Sequence, residues 1–283
     1  MHTKLAAITI GLIVAAGSSW AKTGETEQDI INRYLKKTES KHTRRITWAS
    51  ATFRFDRINR DNDYNKFANY SSNHFSSTDI PWLGDAKSFG VDLGMFVGRK
   101  MAWSLGGEYW LKLGTNQSGP LPYTPPSGSP TIVENLVSEV KVWGVSTSVQ
   151  YYLLNPPNKE TLLSLPAVRI SGMAGFYQVS WEVWDNYENL NLSTSYPEAI
   201  NTTFKGSAPA FALMIGADYP LHFGNLALGV DVGMLYLNFT NVAWYNPTDQ
   251  EIVATYAGTT DSRVDLNMTG IRGKIELKRF FRL

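Results

Sequence analysis

From Phe89 to Leu113 the chain alternates almost without interruption. Phe89, Val91, Leu93, Met95 and Val97 share one parity, and Gly90, Asp92, Gly94 and Gly98 share the other. After a tight turn at Arg99–Lys100, Met101, Trp103, Leu105, Tyr109, Leu111 and Leu113 oppose Ala102, Ser104, Gly106, Glu108 and Lys112. Strand side chains repeat every two residues, so each segment has one apolar face and one small or charged face. Both run well beyond the usual globular strand of roughly 5–6 residues, and roughly 9–11 residues carry a tilted strand across a bilayer. Two long amphipathic strands on a tight turn therefore predict a membrane β-barrel.

The N-terminus predicts export. His2 and Lys4 precede the apolar run Leu5–Gly17, and Ser19-Trp20-Ala21 has the small-x-small form of a cleavage site. Residues 1–21 read as a signal peptide cut after Ala21. Beyond it no run of about 18 apolar residues occurs, which excludes helical spans. The slightly negative mean hydropathy of -0.21 fits faces whose hydropathies cancel. With no cysteine, disulfide and thiol chemistry are excluded. A net charge of +1 gives no reason to expect a nucleic-acid partner. Fourteen Tyr, thirteen Phe and nine Trp supply the aromatic girdles a membrane barrel places at its two rims.

The same template divides the mature chain into eight strands: Ile46–Asp56, Ser88–Gly98, Met101–Gly114, Ser138–Leu154, Ala167–Val183, Ala208–Leu221, Leu226–Phe239 and Val264–Leu283. Connections at Arg57–Lys87, Thr115–Val137, Trp184–Ser207 and Thr240–Arg263 are long and polar. Those at Arg99–Lys100, Asn155–Pro166 and His222–Asn225 are shorter. Long loops on one side and short turns on the other are the outer-membrane pattern, and an even strand number brings both termini to the periplasm. Ile132–Val137 and Ile252–Tyr256 are either strand extensions or an extra hairpin that would make ten strands. The domain reading is a signal peptide at 1–21, a periplasmic leader at 22–45 and the barrel at 46–283. Ile30, Ile31, Tyr34 and Leu35 recur at helical spacing in the leader, which predicts a short amphipathic helix.

Parity also sorts the faces. Phe211, Leu213, Ile215, Ala217 and Tyr219 point outward, as do Leu228, Val230, Val232, Met234 and Tyr236. Arg279 falls on the outward parity, which calls for a rim position or a bulge. The fifth strand allows two registers, with Val168, Ile170 and Phe176 competing with Tyr177, Val179 and Trp181 for the outer face. The inward set contains acids Asp92, Glu108, Asp218, Asp231 and Glu276, and bases Arg54, Lys112, Arg272, Lys274 and Lys278. An eight-stranded barrel is just wide enough for side chains to fill it. Mixed charges in that space predict a paired network that holds the barrel together; a narrow conducting path is the competing reading.

Common catalytic signatures are absent, so no cofactor is expected. Asp61-x-Asp63-x-Asn65 begins like a calcium loop but has Lys66 where glycine is needed and Ser72 where an acid should close it, so no metal is assigned. A serine hydrolase acting on lipid A would need a His near the outer leaflet, and His74, among Ser71, Ser72, Ser76 and Ser77, is the one so placed. Tyr64, Tyr70, Trp82, Tyr123, Tyr187, Trp244 and Tyr245 are the loop residues with partner-contact chemistry; an interfacial belt explains the same residues.

The glycine-punctuated hairpin Phe89–Leu113, the strand Gly144–Leu154, the strand Ala210–Leu221 and the charged last strand ending Phe280-Phe281-Arg282-Leu283 resemble the small outer-membrane barrels of the OmpA, OmpX and OmpW type. The resemblance implies an eight-stranded antiparallel transmembrane β-barrel, all-β, in a bacterial outer membrane. It implies a monomer in contact with outer-membrane lipid and lipopolysaccharide, handled during biogenesis by periplasmic chaperones and the barrel-assembly machinery. The function expected is a structural or surface-interaction role through four external loops, with no enzymatic activity and a protein partner left unidentified. A narrow channel for small or hydrophobic solutes is the alternative. A soluble lipocalin-type barrel is the architectural rival, but it would need polar outward faces.

Overall fold

The computed structural model describes residues 28, 46–74, 81–111, 113–123, 131–158, 163–186, 201–221, 225–246, 248–251 and 263–282. The chain divides into two units, Met1–Arg44 and Arg45–Leu283. Of the first, Gln28 is described and is helical; the remaining residues of the predicted leader helix and of the predicted signal peptide lie outside the described residues.

The second unit contains strands β1 (Ile46–Ile58), β2 (Asp85–Phe96), β3 (Met101–Trp110), β4 (Leu113–Tyr123), β5 (Thr131–Leu154), β6 (Ala167–Asn186), β7 (Asn201–Pro220), β8 (Leu226–Tyr245), β9 (Val264–Asn267) and β10 (Gly270–Arg282). Among the described residues it also has one helix, α1 (Asp63–His74). β3 and β4 pair successive stretches of β5, and β9 and β10 pair successive stretches of β8, so ten segments make eight staves. All pairings are antiparallel, and β10 returns to β1 from Ile46↔Arg282 to Ile58↔Gly270 without a register shift. The sheet closes on itself, which removes every edge along that seam.

Glycine sets the joint between β3 and β4. Gly114 has φ +117, and a Cβ there would lie 1.8 Å from the Ser138 carbonyl oxygen, so the bend requires a residue without a side chain. The turn end is made of short connections: Val97 N–H donates to Met101 O at 3.0 Å, and Leu221 N–H to Leu226 O at 2.9 Å. Asn155 and Asn225 supply left-handed conformations in the turns that follow β5 and β7, at φ 46 and 55.

Burial is inverted relative to a water-soluble protein. Phe89, Val91, Leu93, Trp103, Leu105, Tyr109, Phe211, Leu213, Ile215, Val232, Met234, Tyr236, Ile271 and Ile275 all lie exposed on the outer face, while charged residues fill the inside. On β5 the outward series runs from Trp143 to Leu153. Ten residues rise about 33 Å along the strand, or about 25 Å at a tilt near 40°, the height of the apolar band of an outer-membrane barrel. A soluble monomer rarely leaves so large an apolar surface in water, so this outer face answers to lipid and excludes the lipocalin-type arrangement.

The fifth stave settles into one register: Arg169, Ser171, Met173, Tyr177, Val179 and Trp181 point inward, and Ile170, Ala174 and Phe176 outward. Arg279 does point outward with no bulge in β10, and its guanidinium lies 5.6 Å from the Phe281 ring at the turn-end rim.

Two expectations about the connections change. The segment read as a loop at Arg57–Lys87 contains α1. The segments flanking the other long loops are strand: β5 starts at Thr131, which makes Ile132–Val137 an extension, and β6, β7 and β8 also run past the apolar band. Ile252–Tyr256 lie outside the described residues.

Candidate functional site: the lumen

The lumen is layered along its axis. At the turn end, Ile46, Trp48, Phe96, Ala102, Tyr152, Ala167, Ala227 and Phe280 form an apolar floor. Trp48 meets Phe96 edge to face at 5.6 Å.

Above the floor lies the charged layer. The last strand generates much of it, because Arg272, Lys274, Glu276 and Lys278 occupy every second position and all point inward. Two clusters form. In the first, Arg272 donates to both oxygens of Asp56, at 2.6 and 2.9 Å, and to both oxygens of Glu108, at 2.8 and 3.1 Å. Glu108 also accepts from the Tyr177 hydroxyl and the Ser88 hydroxyl, each at 2.8 Å. Arg54 lies 3.6 Å from Glu108 and 3.4 Å from Asp92. In the second, Arg169 faces Asp218 at 3.1 Å, Asp231 at 3.0 Å and also Glu276. Lys278 bridges Asp218 at 2.9 Å and Glu276 at 2.8 Å, and the Tyr152 hydroxyl donates to Asp218 at 2.9 Å. Lys274 joins the two clusters, reaching Glu276 at 3.0 Å, Asp92 at 3.5 Å and Asp231 at 3.6 Å.

The network therefore brings together nine of the ten lumen charges named from the sequence, namely Arg54, Asp92, Glu108, Asp218, Asp231, Arg272, Lys274, Glu276 and Lys278. Lys112 lies outside the described residues. Sequence reasoning missed Asp56 and Arg169, both of which are central. Arg169 was hidden by the two-register ambiguity of its stave. The usable signal was the Ile170, Gly172, Ala174 and Phe176 series, whose small residues suit a lipid face as well as a lumen face.

One wall of this layer is lined by small polar residues: Ser104, Gly106, Ser146, Ser148 and Ser171. With Arg54, Asp92, Gln150 and Lys274 they surround a cavity of about 20 Å³. That is room for about one water molecule. Ser104 and Ser148 close part of the wall with a hydroxyl–hydroxyl bond of 2.7 Å.

The loop end holds a second apolar layer, and α1 is part of it. Asn62 caps the helix, accepting from Asn65 N–H at 3.0 Å. Asp63 in the first turn accepts from the Asp265 N–H at 2.7 Å, which ties the helix to β9. Asn65 is fully engaged with backbone, accepting from Leu83 N–H at 2.7 Å and donating to Arg60 O at 2.7 Å and Leu83 O at 3.1 Å. Asp63 and Asn65 of the Asp61-Asp63-Asn65 triplet are thus built into tethering the helix, while the Asp61 backbone N–H donates to the Asn59 side-chain oxygen at 3.1 Å. Tyr64, Phe67 and Ala68 recur at helical spacing and are buried. Their rings meet Trp181, at 5.2 Å for Tyr64 and 5.5 Å for Phe67. Trp181 stacks on Phe204 at 4.9 Å, and Phe204 on Trp244 at 5.3 Å. Burial pushes the Tyr64 phenol up to about 12, with the Ser138 hydroxyl opposing the shift.

Two of the loop-contact residues are consequently reassigned. Tyr64 and Trp244 are fully buried in this aromatic column and offer nothing to an external partner. The reason is geometric: Tyr64 lies on the buried face of α1 and Trp244 on β8 where that strand runs past the apolar belt, and both join the aromatic column around Trp181 and Phe204. Trp82 is exposed, and Tyr245 is half-buried with the Lys205 ammonium 5.6 Å from its ring. The side chains of Tyr70 and Tyr123, and Tyr187 as a whole, lie outside the described residues.

No family model matches this chain, and no curated protein is recognisably similar to it in sequence. Among solved structures it is similar to Neisserial surface protein A, at 9% identity and a TM-score of 0.38 over 84% of this chain and 97% of that one. It is similar to a major outer membrane protein from Thermus thermophilus at 13% identity and a TM-score of 0.46, over 83% and 99%. It is also similar to the outer membrane protease OmpT of Escherichia coli at 8% identity and a TM-score of 0.31, over 84% and 97%. At these values the likenesses assign neither family nor activity to this chain.

Proposed function

We propose that the chain is a non-conducting integral protein of a bacterial outer membrane whose role is structural or in surface interaction at its loop end. The observation that carries this reading is the sealed lumen. A layer of eleven buried, mutually paired charges lies between two apolar layers, and helix α1 is built into the outer one. A channel for ions needs a continuous wet path lined by mobile or single-sign groups; here six carboxylates and five cations hold one another. The apolar outer belt supports residence in lipid, and the long staves around the loop end supply the surface that reaches beyond it. Outer-membrane lipid and lipopolysaccharide are its surroundings, and the assembly machinery its partner during biogenesis. The reading assigns the chain no reaction, so deleting the gene should leave the lipid A mass profile unchanged.

Planar-bilayer recording of the refolded chain tests the reading. Silent bilayers are expected from protein that a heat-shift gel shows to be folded. Stepwise currents whose ion selectivity changes on Asp231→Lys would replace it with the channel reading.

A further inference from the structure

The lipid-facing surface is uneven at the loop end. On the β5 to β8 side the staves continue past the apolar belt, whereas on the β1–β2 side they stop at Ile58 and Asp85. On this low side Arg57 and Lys87 point outward and are exposed. They stand directly above Phe55 and Phe89, the last aromatic residues of the belt here. The register pairs Phe55 with Lys87 and Arg57 with Asp85, so the two cations are diagonal neighbours on one face, with backbones about 7–8 Å apart. Trp82, half exposed, and exposed Arg60 lie just beyond them.

Arg57 and Lys87 differ from the paired outward cation Lys141 at this end of the barrel. Lys141, two residues past the girdle residue Trp143 on β5, has Glu182 at 2.9 Å and Glu139 at 3.7 Å. Arg57 and Lys87 make no ion pair with any described residue, although Asp85 stands across the ladder from Arg57. Two neighbouring cations without an ion-pair partner among the described residues, at the upper edge of an apolar belt, match a lipid phosphate whose acyl chains lie along Phe55 and Phe89, since phosphate takes charge-assisted hydrogen bonds from both Arg and Lys.

We propose that Arg57 and Lys87 bind the phosphate group of a lipid in the leaflet at the loop end. The proposal rests on the membrane reading above, and the test separates the two. The full chain is inserted into nanodiscs of equal parts phosphatidylcholine and phosphatidic acid, checked by its heat shift, and released for native mass spectrometry. Each basic residue at an anionic lipid surface is worth about fivefold in retention, so the pair should favour phosphatidic acid on the order of 25-fold. R57Q/K87Q should bring retention down to that of phosphatidylcholine, and R99Q/K100Q at the turn end should leave it unchanged. Equal retention by the R57Q/K87Q chain overturns the proposal, as does an equal loss from R99Q/K100Q, which would make the effect one of overall charge. Displacement of the lipid by millimolar inorganic phosphate would assign the site to free phosphate and overturn the lipid assignment. A chain that shows no heat shift and enters no nanodisc would sink the membrane reading itself.

Discussion

Arg272 is the residue on which the charged layer depends most, and replacing it by methionine tests that layer. Arg272 is fully buried and supplies four hydrogen bonds, two to Asp56 and two to Glu108. The two carboxylates are not equally dependent on it. Without Arg272, Glu108 keeps the Tyr177 and Ser88 hydroxyls and has Arg54 at 3.6 Å. Asp56 loses both of the hydrogen bonds its carboxylate receives from Arg272, and its nearest remaining cation is more remote. Breaking a buried pair from one side costs about 3–5 kcal/mol, chiefly because the surviving charge is left without a partner. R272M should therefore lose about 3–5 kcal/mol, a large share of the roughly 5–15 kcal/mol that holds a domain together. D56N should cost less, roughly 1–3 kcal/mol, because Arg272 retains Glu108. The decisive comparison is R272M/D56N. Removing the stranded charge should make the double variant more stable than R272M alone. Urea titration of the chain folded into lipid vesicles, followed by tryptophan fluorescence, gives all three values. An R272M cost below about 1 kcal/mol, or a D56N cost that adds in full to that of R272M, would refute the account of a tightly coupled buried network.

Deleting 63–74 removes α1 but leaves the charged layer, so bilayers should stay silent even when the shortened chain still shows its heat shift; currents from that variant would mean that the helix is the seal. Gly114→Ala places a Cβ against the Ser138 carbonyl in a left-handed backbone, and should cost about 1–3 kcal/mol in a urea titration; an unchanged midpoint would contradict the described joint. Tyr64 holds its proton up to about 12 in the folded chain against an ordinary 10.0. Stability is therefore unaffected below about pH 10, where both states are neutral, and falls between about pH 10 and 12, where the unfolded chain releases the proton first. Y64F should flatten that alkaline fall, and an identical fall in both chains would show that Tyr64 is not buried as described.

The architecture was legible because a membrane barrel writes its two faces on alternate residues. The Phe89–Leu113 hairpin and the Ala210–Leu221 strand carry that alternation over more than ten residues, enough to fix parity without knowledge of neighbours. The charged final strand was readable for the same reason, since Arg272, Lys274, Glu276 and Lys278 share one parity. Which charges pair was not readable, because Arg272 meets Asp56 and Glu108 across 216 and 164 residues of sequence. α1 was obscured by composition: its segment DYNKFANYSSNH is dominated by Asn, Ser and Asp, which ordinarily mark loops. Its helix depends on the Asn62 cap and on burying Tyr64 and Phe67 against Trp181, a tertiary effect. Trp244 looks like an exposed recognition residue because the sequence template ends its strand at Phe239, and Tyr64 because the segment that forms α1 reads as loop.

The central claim is a closed barrel with its apolar face in lipid. Gel mobility of the vesicle-folded chain, with and without boiling in SDS, tests it most directly. A compact band that migrates fast unboiled and slows on boiling is the predicted result. A single unshifted band, from chain recovered in the soluble fraction after the vesicles are pelleted, would contradict the claim.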